Sequence, residues 1–165
     1  MTVSVEIDAD PPRLRRADGL LVRFPRDEDG GHPVIEAGWL KADGGFELLL
    51  RWRGFTYQEL QPSAAGEALL VGHIPKGGYC SAVVRFVDGG IELEFADRVA
   101  PDSSGVETIV IETLMNRHLR LDSTYDESTH AEEEVAEQGA FVRRVITLRR
   151  STSGNPLIHR HRLWR

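Results

Sequence analysis

Apolar and polar residues alternate along much of this chain. Ile91, Leu93 and Phe95 fall on one side of the backbone, Glu92 and Glu94 on the other. That period of two marks a strand with one buried and one solvated face. A second β-type run, 79–87, precedes it. Asp88-Gly89-Gly90 between them predicts a tight hairpin, because glycine accepts the positive φ such turns require. Asp43-Gly44-Gly45 predicts another. The strand after it, 46–57, is expected to present Phe46, Leu48, Leu50 and Trp52 on one face, with Glu47, Arg51 and Arg53 opposite. Phe55 and Tyr57 fall out of phase, so Gly54 is expected to carry a bulge or sharp bend. Further strands are expected at 19–24, 32–41, 68–74, 105–115, 119–125, 141–150 and 157–165. Leu119, Leu121, Ser123 and Tyr125 share one face. Only 126–139 departs from the pattern. Thr129 with Glu132 makes a capping box and Gly139 stands at a C-terminal stop, which predicts one short acidic helix near 128–138 or a solvated loop.

About 8–10 strands at hairpin spacing, with at most that one helix, predict an all-β fold: a single antiparallel β-barrel. Residues 1–18, interrupted by Pro and Arg, are expected to form an N-terminal arm or edge strand, and 19–165 the barrel domain. A chain of 165 residues can bury a core without disulfides or structural metals. Its single cysteine, Cys80, cannot form an internal disulfide and fits a reducing, cytoplasmic setting. The N-terminus carries acids and no basic stretch, so no secretory signal is expected, and no apolar run reaches membrane-spanning length. The net charge of −6 argues against nucleic acid as the partner. Within it, residues 121–142 hold seven acids and no Lys or Arg, while the last 25 residues hold seven arginines and no acid. Pairing of these two blocks within the chain accounts for both. The oligomeric state is open, a homodimer included.

Candidate chemistry sits in three places. If 157–165 is a strand, His159 and His161 share one face. Two such imidazoles form the polar outer face of a terminal strand, bind a metal, or supply one ligand to haem iron. A metal would need a third ligand, with His73, His118 or Glu94 as candidates. Trp39, Leu48, Leu50, Phe86, Leu93, Phe95 and Met115 are the candidates to line an interior, where Trp52 and Tyr79 add one polar handle each. Arg144 shares its strand face with Val142, Ile146 and Leu148. A buried arginine needs a carboxylate or a ligand anion, and Glu94 or Glu112 is the expected partner. No nucleophile elbow, phosphate loop or dinucleotide fingerprint occurs.

Two patches resemble known barrels. Glu36-Ala37-Gly38-Trp39-Leu40, followed by Asp43-Gly44 and Phe46-Glu47-Leu48, is similar to a strand and hairpin of nitrobindin-type haem barrels. Gly154-Asn155-Pro156-Leu157 is similar to their Gly-Gln-Pro-Leu. The chain as a whole resembles the calycin group, which includes lipocalins and fatty-acid-binding proteins. The resemblance implies an antiparallel barrel around a hydrophobic small molecule, or around haem held from the last strands. The family's haem-ligating histidine would fall on Arg160, between His159 and His161. The expectation is therefore a barrel that binds a hydrophobic small molecule without a cofactor. If it is an enzyme, it is a cofactor-free cyclase or isomerase in which Trp52 or Tyr79 bonds a carbonyl and Arg144 steadies negative charge. Haem binding and a metal enzyme built on His159 and His161 are the alternatives.

Overall fold

The computed structural model describes residues 3–6, 8–25, 34–53, 59–63, 67–74, 78–98, 106–115, 119–150 and 157–164; for 59–63, 67–74, 78–81, 96–98 and 157 only the backbone is described. Among these residues the chain is all-β, with fourteen strands. They are Val3–Glu6 (β1), Arg13–Arg16 (β2), Leu20–Arg23 (β3), Ile35–Leu40 (β4), Phe46–Arg53 (β5), Glu59–Ser63 (β6) and Glu67–Ile74 (β7). Then come Gly78–Val87 (β8), Gly90–Arg98 (β9), Val106–Leu114 (β10), Arg120–Tyr125 (β11), Thr129–Gln138 (β12), Phe141–Arg150 (β13) and Leu157–Trp164 (β14). All described pairings are antiparallel. One sheet runs β1-β2-β3-β4-β5-β10-β13-β12, the other β11-β14-β9-β8-β7-β6. Neither closes on itself among the described residues. No helix in them is long and apolar enough to cross a membrane.

The two sheets share one core. Val22, Ile35, Leu50, Trp52, Ile109, Ile111, Ile146 and Leu148 from the first meet Val84, Ile91, Leu93, Phe95 and Leu163 from the second. Alternation places them there, and the Asp88-Gly89 hairpin forms as the pattern requires, with Gly89 at φ +78°. Ile91, Leu93 and Phe95 point inward, as the spacing demands.

The outward positions are organised too. Glu6, Arg13, Arg23, Glu36, Arg51, Glu112 and Arg143 lie in register across seven neighbouring strands. Glu36, only 4% exposed, accepts hydrogen bonds from Arg23 Nε at 3.0 Å and Arg51 Nη2 at 2.8 Å. The second sheet repeats the device with Arg85, Glu92, Arg162 and Asp122. Burial pushes the Glu92 carboxyl up, but hydrogen bonds from Arg85 and Arg162 outweigh it and hold the group below its ordinary value. Long arginine stems roof the sheet while their heads pair.

Two expectations are overturned. Residues 128–138 are not helical: Thr129–Gln138 is strand β12, paired along its length with β13. Its partner is rich in β-formers and carries Arg143, Arg144, Arg149 and Arg150, so strand pairing wins over a weak local helix signal. The acidic and basic blocks thus do meet within the chain. Gly139, at φ +60°, makes the hairpin turn.

The parity of β5 also differs. Leu50 pairs with Ala37 and Leu48 with Gly38, so Leu49 is an extra residue in a β-bulge. Leu49, Leu50 and Trp52 are all buried. Phe46 and Leu48 turn to the outer side, where Arg23 stacks on the Phe46 ring 4.0 Å from its centroid. Gly38 permits this crossing, since a Cβ there would lie 1.9 Å from the Glu47 carbonyl oxygen. The bend expected at Gly54 lies outside the described residues.

Candidate functional site

Strand β14 sits between β9 and β11, and alternation sends His159, His161 and Leu163 to the core. Register then builds two polar rows inside an apolar sheet. Tyr125, His159 and Phe95 are neighbours across β11, β14 and β9, as are Ser123, His161 and Leu93. Both histidines are 1% exposed, so they belong to the inner face and not to an outer one.

Their polar atoms line up. Ser123 Oγ lies 2.7 Å from His161 Nδ1, and His161 Nε2 lies 2.9 Å from His159 Nδ1. His159 Nε2, at the end of the line, is buried with no hydrogen-bond partner among the described residues. Aromatic faces hold the far ring. Phe95 stacks on His159 at 4.9 Å and 14°, and Trp52 stacks on Phe95 at 4.0 Å and 10°. Tyr125 meets His161 edge-on at 6.2 Å.

Burial, and then the neighbouring His161, drives the His159 pKa well below its ordinary value. Burial lowers His161 from 6.5 to about 4. Both rings are therefore neutral near pH 7, one proton each. Two proton settings follow. In one, His159 Nδ1 donates to His161, His161 Nδ1 donates to Ser123, and His159 Nε2 is a bare acceptor. In the other, Ser123 donates to His161, His161 Nε2 donates to His159, and His159 carries its proton on Nε2. The first spares the core an unpaired N–H, which is the costlier orphan.

The line continues toward the sheet corner. Burial raises the Tyr125 phenol pKa, with a hydrogen bond to Ser123 opposing the rise and the Glu133 charge adding to it. Glu133 in turn pairs with Arg144 Nε at 3.1 Å. At this corner β12 approaches β11 and β14, and Ile158 N donates to Thr129 Oγ1. A pocket of about 290 Å³ opens there, lined by Glu94, Thr124, Tyr125, Ile158, His159 and Arg160 among others.

Of the expected site residues, Trp52, Phe95 and His159 come together in one stack, with Leu50, Leu93 and His161 beside them around the same core. Trp39 and Phe86 pack at the margin of the core. Met115 follows β10 and donates its backbone N–H to Ala140. Leu48 leaves the interior through the bulge. The Tyr79 side chain lies outside the described residues, as do those of His73 and His118. Arg144 is on the inner face, but Glu133 is its carboxylate; Glu94 pairs with Arg160 and Glu112 with Arg53. The interior gap lined by Ala37, Leu50, Leu121, His161 and Leu163 has no room for a water molecule. No cluster of three or more His, Cys, Asp or Glu side chains able to hold a metal occurs among the described residues.

Ser123 and Tyr125 were not expected in a site. Their signal was two polar groups on the face that Leu119 and Leu121 share, which marks polar groups carried into a core. No protein-family model, curated protein or solved structure matches this chain.

Proposed function

We propose that the protein binds a hydrophobic small molecule and isomerises or cyclises it without a cofactor, moving a proton along the line His159–His161–Ser123. One observation carries this: a buried imidazole nitrogen, His159 Nε2, without a partner among the described residues at the end of a side-chain hydrogen-bond line. In the first proton setting that atom is a base. A proton accepted from substrate at Nε2 releases the one on Nδ1 to His161, His161 releases its own to Ser123 Oγ, and the half-buried Ser123 hydroxyl gives up the proton it carried to solvent, leaving the line in the second setting. The charge never rests on one buried ring, which matters because an isolated buried imidazolium is expensive. The pocket beside Tyr125, Ile158 and His159 is the place for the substrate. The approach of β12 to β11 and β14 supports a calycin-like barrel around it.

The test is deuterium exchange. Apolar ketones and enones with acidic α-hydrogens are incubated with the protein in D₂O and followed by NMR. The wild type should speed exchange for at least one scaffold, and His159→Phe, which keeps the stack and lacks the base, should lose that acceleration. No acceleration across the panel, together with no saturable binding of an apolar dye, overturns the reading.

The same nitrogen supports haem ligation as a second reading, since its ring is oriented through Nδ1 as ligating histidines are. The interior gap beside His161 does not fit a macrocycle as it stands. A haemin titration decides: a saturating Soret band lost in His159→Phe favours haem, and no saturating band removes it.

A further inference from the structure

The line of hydrogen bonds has another use in its second proton setting. We propose that Ser123 is a nucleophile with His161 as its base, and that the protein cleaves or transfers small carboxylic esters. A serine hydroxyl is a weak nucleophile until a base lies within hydrogen-bond reach and a third group orients that base. Ser123 Oγ to His161 Nδ1 is 2.7 Å, and His161 Nε2 to His159 Nδ1 is 2.9 Å. That is the required order of nucleophile, base and orienting group. The three side chains share one inner face across β11 and β14, so two paired strands fix their spacing. His159 is a positioning residue: its own ring is clamped by Phe95 and Trp52.

Position and access fit an acyl group. Ser123 is half-buried, whereas both histidines are buried. The two residues that follow it, Thr124 and Tyr125, line the 290 Å³ pocket, which is the proposed seat of the ester. Tyr125 projects from the same strand face as Ser123. Its phenol, kept protonated, is the donor placed to meet the developing oxyanion.

Ser123 Oγ bonds to the ester carbon as its proton passes to His161 Nδ1, and the carbonyl electron pair moves onto oxygen. Collapse re-forms the carbonyl and breaks the bond to the alkoxy group, which leaves with the proton from His161. Water then attacks the acyl-serine, gives a proton to His161, and releases the acid as Ser123 recovers its own. No metal, oxidant or further reactant enters. Loss of this activity leaves the isomerase reading standing, because that reading forms no covalent bond to Ser123.

The test is reaction of the intact protein with an alkyl fluorophosphonate, with the adduct mapped by peptide mass spectrometry. One adduct on Ser123 is expected, absent in Ser123→Ala. Hydrolysis of p-nitrophenyl acetate should fall in that variant to the rate of buffer alone. His159→Phe should slow labelling about 10²-fold, and His159→Gln, whose amide oxygen still accepts from His161, should recover part of it. A merely structural role for His159 would not yield that rescue. Thermal melts of each variant confirm folding. No adduct on the folded wild type, an adduct on another serine, or labelling indifferent to His161→Gln in a folded variant each overturns the proposal.

Discussion

Lowering the pH from 7 to 5 protonates His159 and His161 in the unfolded chain but not in the folded one. Both lie below their ordinary values in the fold, chiefly through burial, and His161 falls from 6.5 to about 4. The unfolded state then binds more protons, so stability falls as pH drops below 6.5 and goes on falling until the folded value is reached. For His161 alone, the step from pH 7 to pH 5 removes about 2 kcal/mol. His159 adds to it in the same direction. The carboxylates act later. Hydrogen bonds from Arg13 and Arg16 hold Glu6 and Asp18 below their ordinary values, and Glu92 is held low against its burial by Arg85 and Arg162. Such groups contribute stability above their unfolded values near 4 and lose it only below them. The window from pH 6.5 to 5 therefore belongs to histidine.

Urea denaturation followed by tryptophan fluorescence at several pH values gives the slope directly. The midpoint should fall steadily between pH 7 and 5 at constant m. A doubly apolar variant, His159→Phe with His161→Leu, should flatten it, while the remaining histidines are unchanged in both proteins. A wild-type midpoint that stays level over this range, or an equal fall in the variant, would refute burial of two neutral imidazoles.

Other substitutions probe the scaffold. Glu92→Gln should cost about 2 kcal/mol in chemical denaturation, because it removes a carboxylate that accepts from two guanidinium groups in a nearly dry position. Gly90→Ala should cost about 3 kcal/mol, since the new Cβ would lie 1.9 Å from the Leu163 carbonyl oxygen and force β9 from β14. Gly139→Ala, at φ +60° with nothing within 4 Å, should cost only about 1 kcal/mol of backbone strain. Arg144→Met should change stability by less than about 1 kcal/mol, because its partner Glu133 keeps 40% of its side chain exposed.

Where alternation was clean, the sequence described the molecule well. Ile91, Leu93 and Phe95 point inward with a two-residue turn before them, because a half-buried strand leaves no other arrangement. Two signals misled. Thr129, Glu132 and Gly139 satisfy the local rules for a helix, yet the same residues make a strand and its turn once an arginine-bearing strand is available to pair with. In β5 the run Phe46-Glu47-Leu48-Leu49-Leu50 hides its bulge, because Leu49 is as apolar as its neighbours and nothing in the sequence marks it as extra. The site was half legible. His159 and His161 were readable as a pair on one face, but their direction depended on β9 and β11 flanking them. Ser123 became meaningful only through its register with His161, 38 residues away.

The histidine pair also tests whether stability or chemistry explains its place. A hydrogen bond between two buried groups nets little, about 1 kcal/mol, and replacing both partners with apolar groups of similar shape is near neutral or stabilising. His159 has the further burden of an Nε2 that is unpaired among the described residues. At pH 8 both imidazoles are neutral folded or unfolded, so proton linkage drops out. There, the His159→Phe, His161→Leu variant should match or exceed the wild type, its phenyl ring extending the Trp52–Phe95 stack and its leucine joining Leu93 and Leu163. Ser123, half-buried, can turn its hydroxyl to solvent. A variant less stable by more than about 1 kcal/mol at pH 8 would make the pair a structural feature of the core. Equal or greater stability would mean that the fold has no need of these polar rings, and would leave proton transfer or nucleophile activation as the reason for two imidazoles in a row.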